Sequence, residues 1–219
     1  NTIQRFNYDE SYVNSAFLWR TMSIAIDHGN TAWFSTGSAG LAKYNNDGKT
    51  FTYYTPGPLR SAKITPRFTP TNHVADYSLY SVCFDKNKDL WIGTDFGGLS
   101  RFDTKTELFE NFAHSENDSN SISSNFVRYV YCDSKNQIWV GTNSGLDKYN
   151  RDSKTFSHFT TANGLTGNTI QGILEGEKNV LYISTNSGIS RFDTNTNTFT
   201  NFTTQNGLLS NEYSTGACL

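Results

Sequence analysis

Residues 55–78 gather Arg60, Lys63, Arg67 and His73 beside Pro56, Pro58, Pro66 and Pro70, with Asp76 as the only acid. A proline-stiffened cationic loop, in a chain of formal net charge −2, suits an anionic or polar oligosaccharide. Arginine's planar fork makes paired hydrogen bonds to carboxylate or sulfate. A solvated loop, or a surface against a neighbouring domain, is the alternative. Tyr80, Arg128 and Gln171 form a second candidate set, because with Met22 they share one column of four aligned segments described below. Tyr80 and Arg128 would contact a ligand there, although Arg128 equally suits pairing with an acid of an adjacent segment.

Other chemistry is sought and not found. His28, His73, His114 and His158 share no metal-ligand spacing. Asp85-Lys-Asn87-Lys-Asp89 begins like a calcium loop, but Leu90 stands where glycine is required and Phe96 where glutamate is. No Gly-x-Ser-x-Gly occurs, and no repeated acid pair marks a glycosidase. The expectation is no metal, no cofactor and no enzymatic activity in this segment. Cys83, Cys132 and Cys218 are odd in number and lack CxxC spacing, indicating neither a disulfide framework nor a zinc site. Near-neutral charge argues against nucleic acid as a partner. No apolar run exceeds four residues, too short to cross a membrane. The opening Asn-Thr-Ile-Gln-Arg-Phe lacks a signal-peptide core, which leaves a cytosolic chain, a removed leader or an excised piece open.

What must position these residues is an internal repeat. Trp33-Phe-Ser-Thr36, Trp91-Ile-Gly-Thr94, Trp139-Val-Gly-Thr142 and Tyr182-Ile-Ser-Thr185 are each followed by a glycine turn. Then come Gly40-Leu-Ala-Lys-Tyr44, Gly98-Leu-Ser-Arg-Phe102, Gly145-Leu-Asp-Lys-Tyr149 and Gly188-Ile-Ser-Arg-Phe192. Phe51, Phe109, Phe156 and Phe199 lie seven residues further on. The anchors are 58, 48 and 43 residues apart, the shortest matching the roughly 40–45 residues of one propeller blade. Six residues before each anchor stand Asp27, Asp85, Asp133 and Gly176, preceded by a short apolar strand. Its column Ile24, Val82, Val130, Ile173 is β-branched and its neighbour Ala25, Cys83, Tyr131, Leu174 mostly apolar, as for a strand covered on both faces.

The fold class expected is therefore all-β: a β-propeller of four-stranded antiparallel blades. Aromatic residues at 15% fit it. The chain reads as one propeller domain over 1–219. Blades lie near 20–57, 78–115, 126–162 and 169–205, with an inter-blade insertion at 55–78. Ile3–Phe6 and Glu212–Leu219 read as partial blades at both ends of a larger propeller, since open arrays expose strand edges. The anchor aromatics are assigned to packing rather than sugar stacking, and the aspartates to hairpin turns. His158 aligns with Tyr53, Asn111 and Asn201 on an outer strand, a surface position.

These residues resemble the two-component regulator propeller repeat: inner strand, Asp, turn, Ile-Trp-Ile-Gly-Thr, Gly-Leu, Arg-Tyr-Asp, Phe-x-x-Tyr and often Asn-Gly-Leu. That last phrase occurs at Asn163–Leu165 and Asn206–Leu208. Tyr182 and Gly176 depart from the pattern. The resemblance implies the periplasmic sensor region of hybrid sensor kinases, binding oligosaccharides. Its partners would be that ligand, neighbouring propeller or signalling domains of the full-length protein, and a second copy of the chain. A protein-interaction scaffold is the alternative, and a propeller lyase or hydrolase a third reading.

Overall fold

The structure, a computed structural model, describes residues 20–46, 50–55, 71 and 73–216. It holds four sheets, each of four antiparallel strands in chain order. Blade 1 comprises β1 (Thr21–Ile26), β2 (Ala32–Thr36), β3 (Leu41–Tyr44) and β4 (Phe51–Tyr54). Blade 2 comprises β5 (Leu79–Phe84), β6 (Leu90–Thr94), β7 (Leu99–Asp103) and β8 (Leu108–Phe112). Blade 3 comprises β9 (Val127–Cys132), β10 (Ile138–Thr142), β11 (Leu146–Asn150) and β12 (Thr155–Phe159). Blade 4 comprises β13 (Ile170–Glu175), β14 (Val180–Thr185), β15 (Gly188–Asp193) and β16 (Thr198–Phe202). The all-β propeller architecture expected from the repeat is present.

Each repeated residue has a bond that accounts for it. Asp85 Oδ1 accepts the backbone N–H groups of Asn87 and Asp89 at 2.9 and 3.0 Å, closing the hairpin turn. Its Oδ2 accepts the indole N–H of Trp91 at 2.9 Å. Asp27 and Asp133 hold Trp33 and Trp139 in the same way, at 3.0 and 2.9 Å. The aspartate thus does more than shape a turn: it satisfies the one polar atom of a buried ring. In blade 4 both partners change together. A Cβ on Gly176 would lie 2.5 Å from the Tyr182 ring, so a tyrosine in this place requires glycine. The threonine closing each anchor phrase donates to the glycine carbonyl beyond the turn, at 2.8 Å for Thr94 to Gly98 and 3.0 Å for Thr142 to Gly145. Gly98 has φ +81° and faces the carbonyl of Phe112, where a side chain has no room. Asn163-Gly164-Leu165 closes a capped 3₁₀ turn, with Asn163 Oδ1 accepting from Thr160 N at 2.9 Å and Gly164 at φ 104°.

Blades join through aromatic rings. Trp33 meets Phe102 of the following blade at 5.5 Å between centroids, Trp91 meets Tyr149 at 5.0 Å, and Trp139 meets Phe192 at 5.7 Å. Arg151 of blade 3 reaches back to Asp85 at 2.7 Å, so the oxygen that holds Trp91 also carries an inter-blade ion pair. The calcium-like run beginning at Asp85 is accordingly occupied by a turn, an indole and a guanidinium.

Two expectations need correction. Cys83 on β5 and Cys132 on β9 form a disulfide across neighbouring inner strands, their Cα atoms 6.3 Å apart. Counting cysteines missed it because the pair is defined by blade adjacency, not by spacing. Coverage on both faces also fails at the edges of the array. Val82, Val130 and Ile173 are buried, whereas Ile24 in the same column is 58% exposed because no described blade precedes β1. Ile24→Ser is expected to change stability by less than about 0.5 kcal/mol, whereas Val130→Ala should cost about 1–3 kcal/mol; urea unfolding of both variants checks this contrast.

Candidate functional site

Every inner strand carries a bulge at the same place. Pairing skips from Thr21 to Ser23, from Leu79 to Ser81, from Val127 to Tyr129 and from Ile170 to Gly172. The skipped residues are Met22, Tyr80, Arg128 and Gln171, the column singled out from the sequence. A bulge turns the unpaired side chain away from the sheet. In blades 2 and 3 it faces the turn between the second and third strands of its own blade: Tyr80 lies within reach of the Asp95 charge, and Arg128 Nε donates to Asn143 Oδ1 at 2.7 Å.

Around these two residues lies an aromatic cluster. Phe126, just before β9, sits 5.6 Å from Tyr80 and 5.6 Å edge-on from Phe96. The Arg128 guanidinium lies 4.8 Å over the Phe126 ring, a cation–π contact. Phe96 is 69% exposed. Asp76, at the end of the 55–78 segment, fixes this turn by accepting Phe96 N at 2.8 Å and Ser78 N at 3.2 Å. Burial, reinforced by the Asp76 charge, raises the Asp95 carboxyl above its ordinary range, against the opposing pull of Tyr80 and Arg128. The Tyr80 hydroxyl is raised by burial and by the Asp95 charge. Asp95 Oδ1 is buried and makes no hydrogen bond. The arrangement offers stacking faces, a cation and carboxylate acceptors, the set that orients a polyhydroxylated ring.

Gln171 joins by relay: Arg128 Nη1 donates to Thr215 Oγ1 at 2.8 Å, and that hydroxyl donates to Gln171 Oε1 at 3.0 Å. His73 lies elsewhere. Its carbonyl accepts from Thr71 and from Asn111 of β8, an outer strand, and its Nδ1 is buried and unpartnered. Arg60, Lys63 and Arg67 lie outside the described residues, as does the partial blade read at Ile3–Phe6. Glu212–Gly216 form no strand, although Gly216 N bonds the Gln171 carbonyl at 2.6 Å. Phe96, Phe126 and Asp95 were missed. The available signal was Phe96, which stands where the first copy has Ser38.

Two cavities lie apart from this cluster. One, of about 360 Å³, opens between blades 2 and 3 beneath residues 115–122, with Asn111, Asn117, Asn120 and Lys154 on its walls. The other, of about 320 Å³, lies by the first hairpin turns, among His28, Lys86, Cys132, Ser134 and Glu175. Among the described residues no group of histidine, cysteine and acidic side chains could hold a metal ion, and no helix is long and apolar enough to cross a membrane.

Residues 74–96 and 121–144 match the two component regulator propeller model. Both matched segments run through an inner-strand bulge and an Asp–Trp pair. Over 76 residues the chain is 30% identical to Histidine kinase P4 of Formosa agariphila, covering 35% of this chain and 6% of that protein. Among solved structures it resembles the extracellular domains assigned to two hybrid two component systems of B. thetaiotaomicron. Their TM-scores are 0.69 and 0.66 at 22% and 20% identity, each covering 83% of this chain and 24% of the other. A streptogramin B lyase gives TM-score 0.61 at 14% identity, over 83% of this chain and 54% of the lyase. At such identities the structural likeness shows the fold alone. The chain spans about a quarter of the first two solved structures and a small part of the curated relative.

Proposed function

The chain carries two-component regulator propeller repeats, and from that premise we propose that it is an extracytoplasmic sensing propeller which binds an oligosaccharide at the inner-strand bulges. The observation that carries this reading is the Phe96, Phe126 and Tyr80 cluster with Arg128 on one ring and Asp95 beside it. An apolar side chain as open as Phe96 contributes little to folding, so its place beside two half-buried rings suits a ligand. Sugars present flat C–H faces to rings and hydroxyls to flanking charges. The disulfide supports an oxidising compartment, such as the periplasm. Neighbouring domains of a longer protein would receive the signal, and a second copy of the chain is a further partner. Enzymatic activity is not part of the proposal.

Thermal unfolding against a panel of neutral and acidic oligosaccharides, with product analysis alongside, tests it. A ligand should raise the melting temperature by mass action without being consumed. In Phe96→Ala the ligand-dependent rise should shrink, with affinity weaker by about 2 kcal/mol, or about thirtyfold. Stability without ligand should remain within about 0.5 kcal/mol. Turnover of a panel member would replace the sensor with an enzyme, and unchanged affinity in the variant would move the site elsewhere.

A further inference from the structure

The loop between blades 2 and 3 ends in Phe126, and a cross-strand pair beneath it fixes its path. The same device recurs in three blades. In blade 2, Ser100 Oγ donates to Asn111 Oδ1 at 2.6 Å, Ala75 N of the incoming segment donates to Ser100 Oγ at 3.3 Å, and Asn111 Nδ2 donates to the His73 carbonyl at 3.4 Å. In blade 4, Ser190 bonds Asn201 at 2.8 Å, Thr166 N donates to Ser190 Oγ at 3.0 Å, and Asn201 Nδ2 donates to the Gly164 carbonyl at 2.8 Å. Serine and asparagine are neutral at any physiological pH.

In blade 3 the register-equivalent pair is Asp147 and His158. Asp147 is fully buried and accepts Ser123 N at 2.8 Å. His158 Nδ1 lies 2.7 Å from Asp147 Oδ1, and its Nε2 lies 3.0 Å from the Ser119 carbonyl. The surface position read from the sequence is therefore incomplete, since both ring nitrogens are engaged. A carboxylate and a carbonyl only accept, so the imidazolium, with a proton on each nitrogen, is the form of the ring that fills both contacts. Hydrogen bonding to Asp147 holds the His158 pKa above its ordinary value, against the opposing effect of burial.

We infer that Asp147 and His158 are positioning residues for the binding cluster: a charged clasp that sets the 115–126 loop, and with it Phe126, in a pH-dependent way. The inference rests on the proposed ligand site for its functional meaning, but the clasp can be read without ligand. The direction follows from the raised pKa. The clasp is at full strength below about pH 6.5, the unfolded value, and slackens as pH rises through the higher folded value. Other charges nearby are accounted for. The loop carries Glu116 and Asp118, and just before it stands His114, whose Nδ1 lies 2.8 Å from the Ile122 carbonyl. From β8 comes Glu110, paired with Lys154 and Arg101.

Amide exchange of the 219-residue chain between pH 6 and 9, expressed as protection factors, reads the clasp, and NMR titration of His158 in the unmodified protein reads its proton. Protection at Ser123 and Phe126 should fall several-fold with rising pH, in step with loss of the His158 proton. In the double variant D147S/H158N, which installs the pair of blades 2 and 4, the profile should be flat. Equal profiles in the two proteins, or a His158 titrating at its ordinary pKa, would overturn the inference. The titration decides the matter even if the double variant does not fold. If oligosaccharides bind, their affinity should follow the same pH course in the wild type only. A loop that passes the exchange test while no oligosaccharide binds refutes the proposed ligand and leaves the clasp standing.

Discussion

Replacing Trp91 by Ala should destabilise the chain by about 3–5 kcal/mol, a large share of the 5–15 kcal/mol typical of a folded domain. Trp91 is fully buried and fills the seam between blades 2 and 3, stacked on Phe112 at 6.0 Å and tilted against Tyr149 at 5.0 Å. Its removal leaves a cavity that two rigid sheets cannot close. It also deprives Asp85 Oδ2 of the indole donor, leaving that buried carboxylate to Arg151. Trp91→Phe separates the two losses: most of the apolar volume stays, and the missing hydrogen bond should cost about 1–3 kcal/mol. Tyr182→Ala should cost less than Trp91→Ala, because the Tyr182 ring is only half-buried. Urea unfolding followed by circular dichroism would rank the three, and equal losses for Trp91→Ala and Tyr182→Ala would contradict the packing described.

Removing the disulfide should rank next. In Cys83→Ala/Cys132→Ala, stability should fall by about 2–4 kcal/mol, since the crosslink closes a long loop in the unfolded chain; the two cysteines are 49 residues apart. The native packing should survive, because both side chains rest against the core between blades 2 and 3. Melting temperatures of the wild type with and without reductant should differ by the same amount, and the double variant should show no response. A wild type indifferent to reductant would mean that the bond does not form.

Much of the fold could be read from the residues because the same type recurs wherever the same backbone recurs. The anchor phrase from aromatic to threonine, the glycine turns and the inner-strand columns each appear four times, and each copy supports the others. What repetition hides is partnership. Asp85 and Trp91 were both evident, yet the bond between them spans a hairpin and needs the strand register to be seen. Cys83 and Cys132 occupy adjacent columns of adjacent inner strands, a relation that counting cysteines cannot express. The site was half legible. Tyr80, Arg128 and Gln171 share a column because the bulge repeats, whereas Phe96 and Phe126 lie in connections whose identities do not. There the signal is a departure from the repeat, Phe96 in place of serine. Asp147 and His158 depart in the same way from serine and asparagine.

The aromatic seams also have a direction. Trp33, Trp91 and Trp139 are each covered by a ring that comes later in the chain: Phe102, Tyr149 and Phe192. A ribosome therefore releases each of these three indoles before its cover has been made. During synthesis each of blades 1 to 3, when newest, presents a tryptophan covered only by a ring of its own blade, Tyr54, Phe112 or Phe159, until the next blade docks. Pauses in translation between blades would prolong that exposure and favour capture by a chaperone.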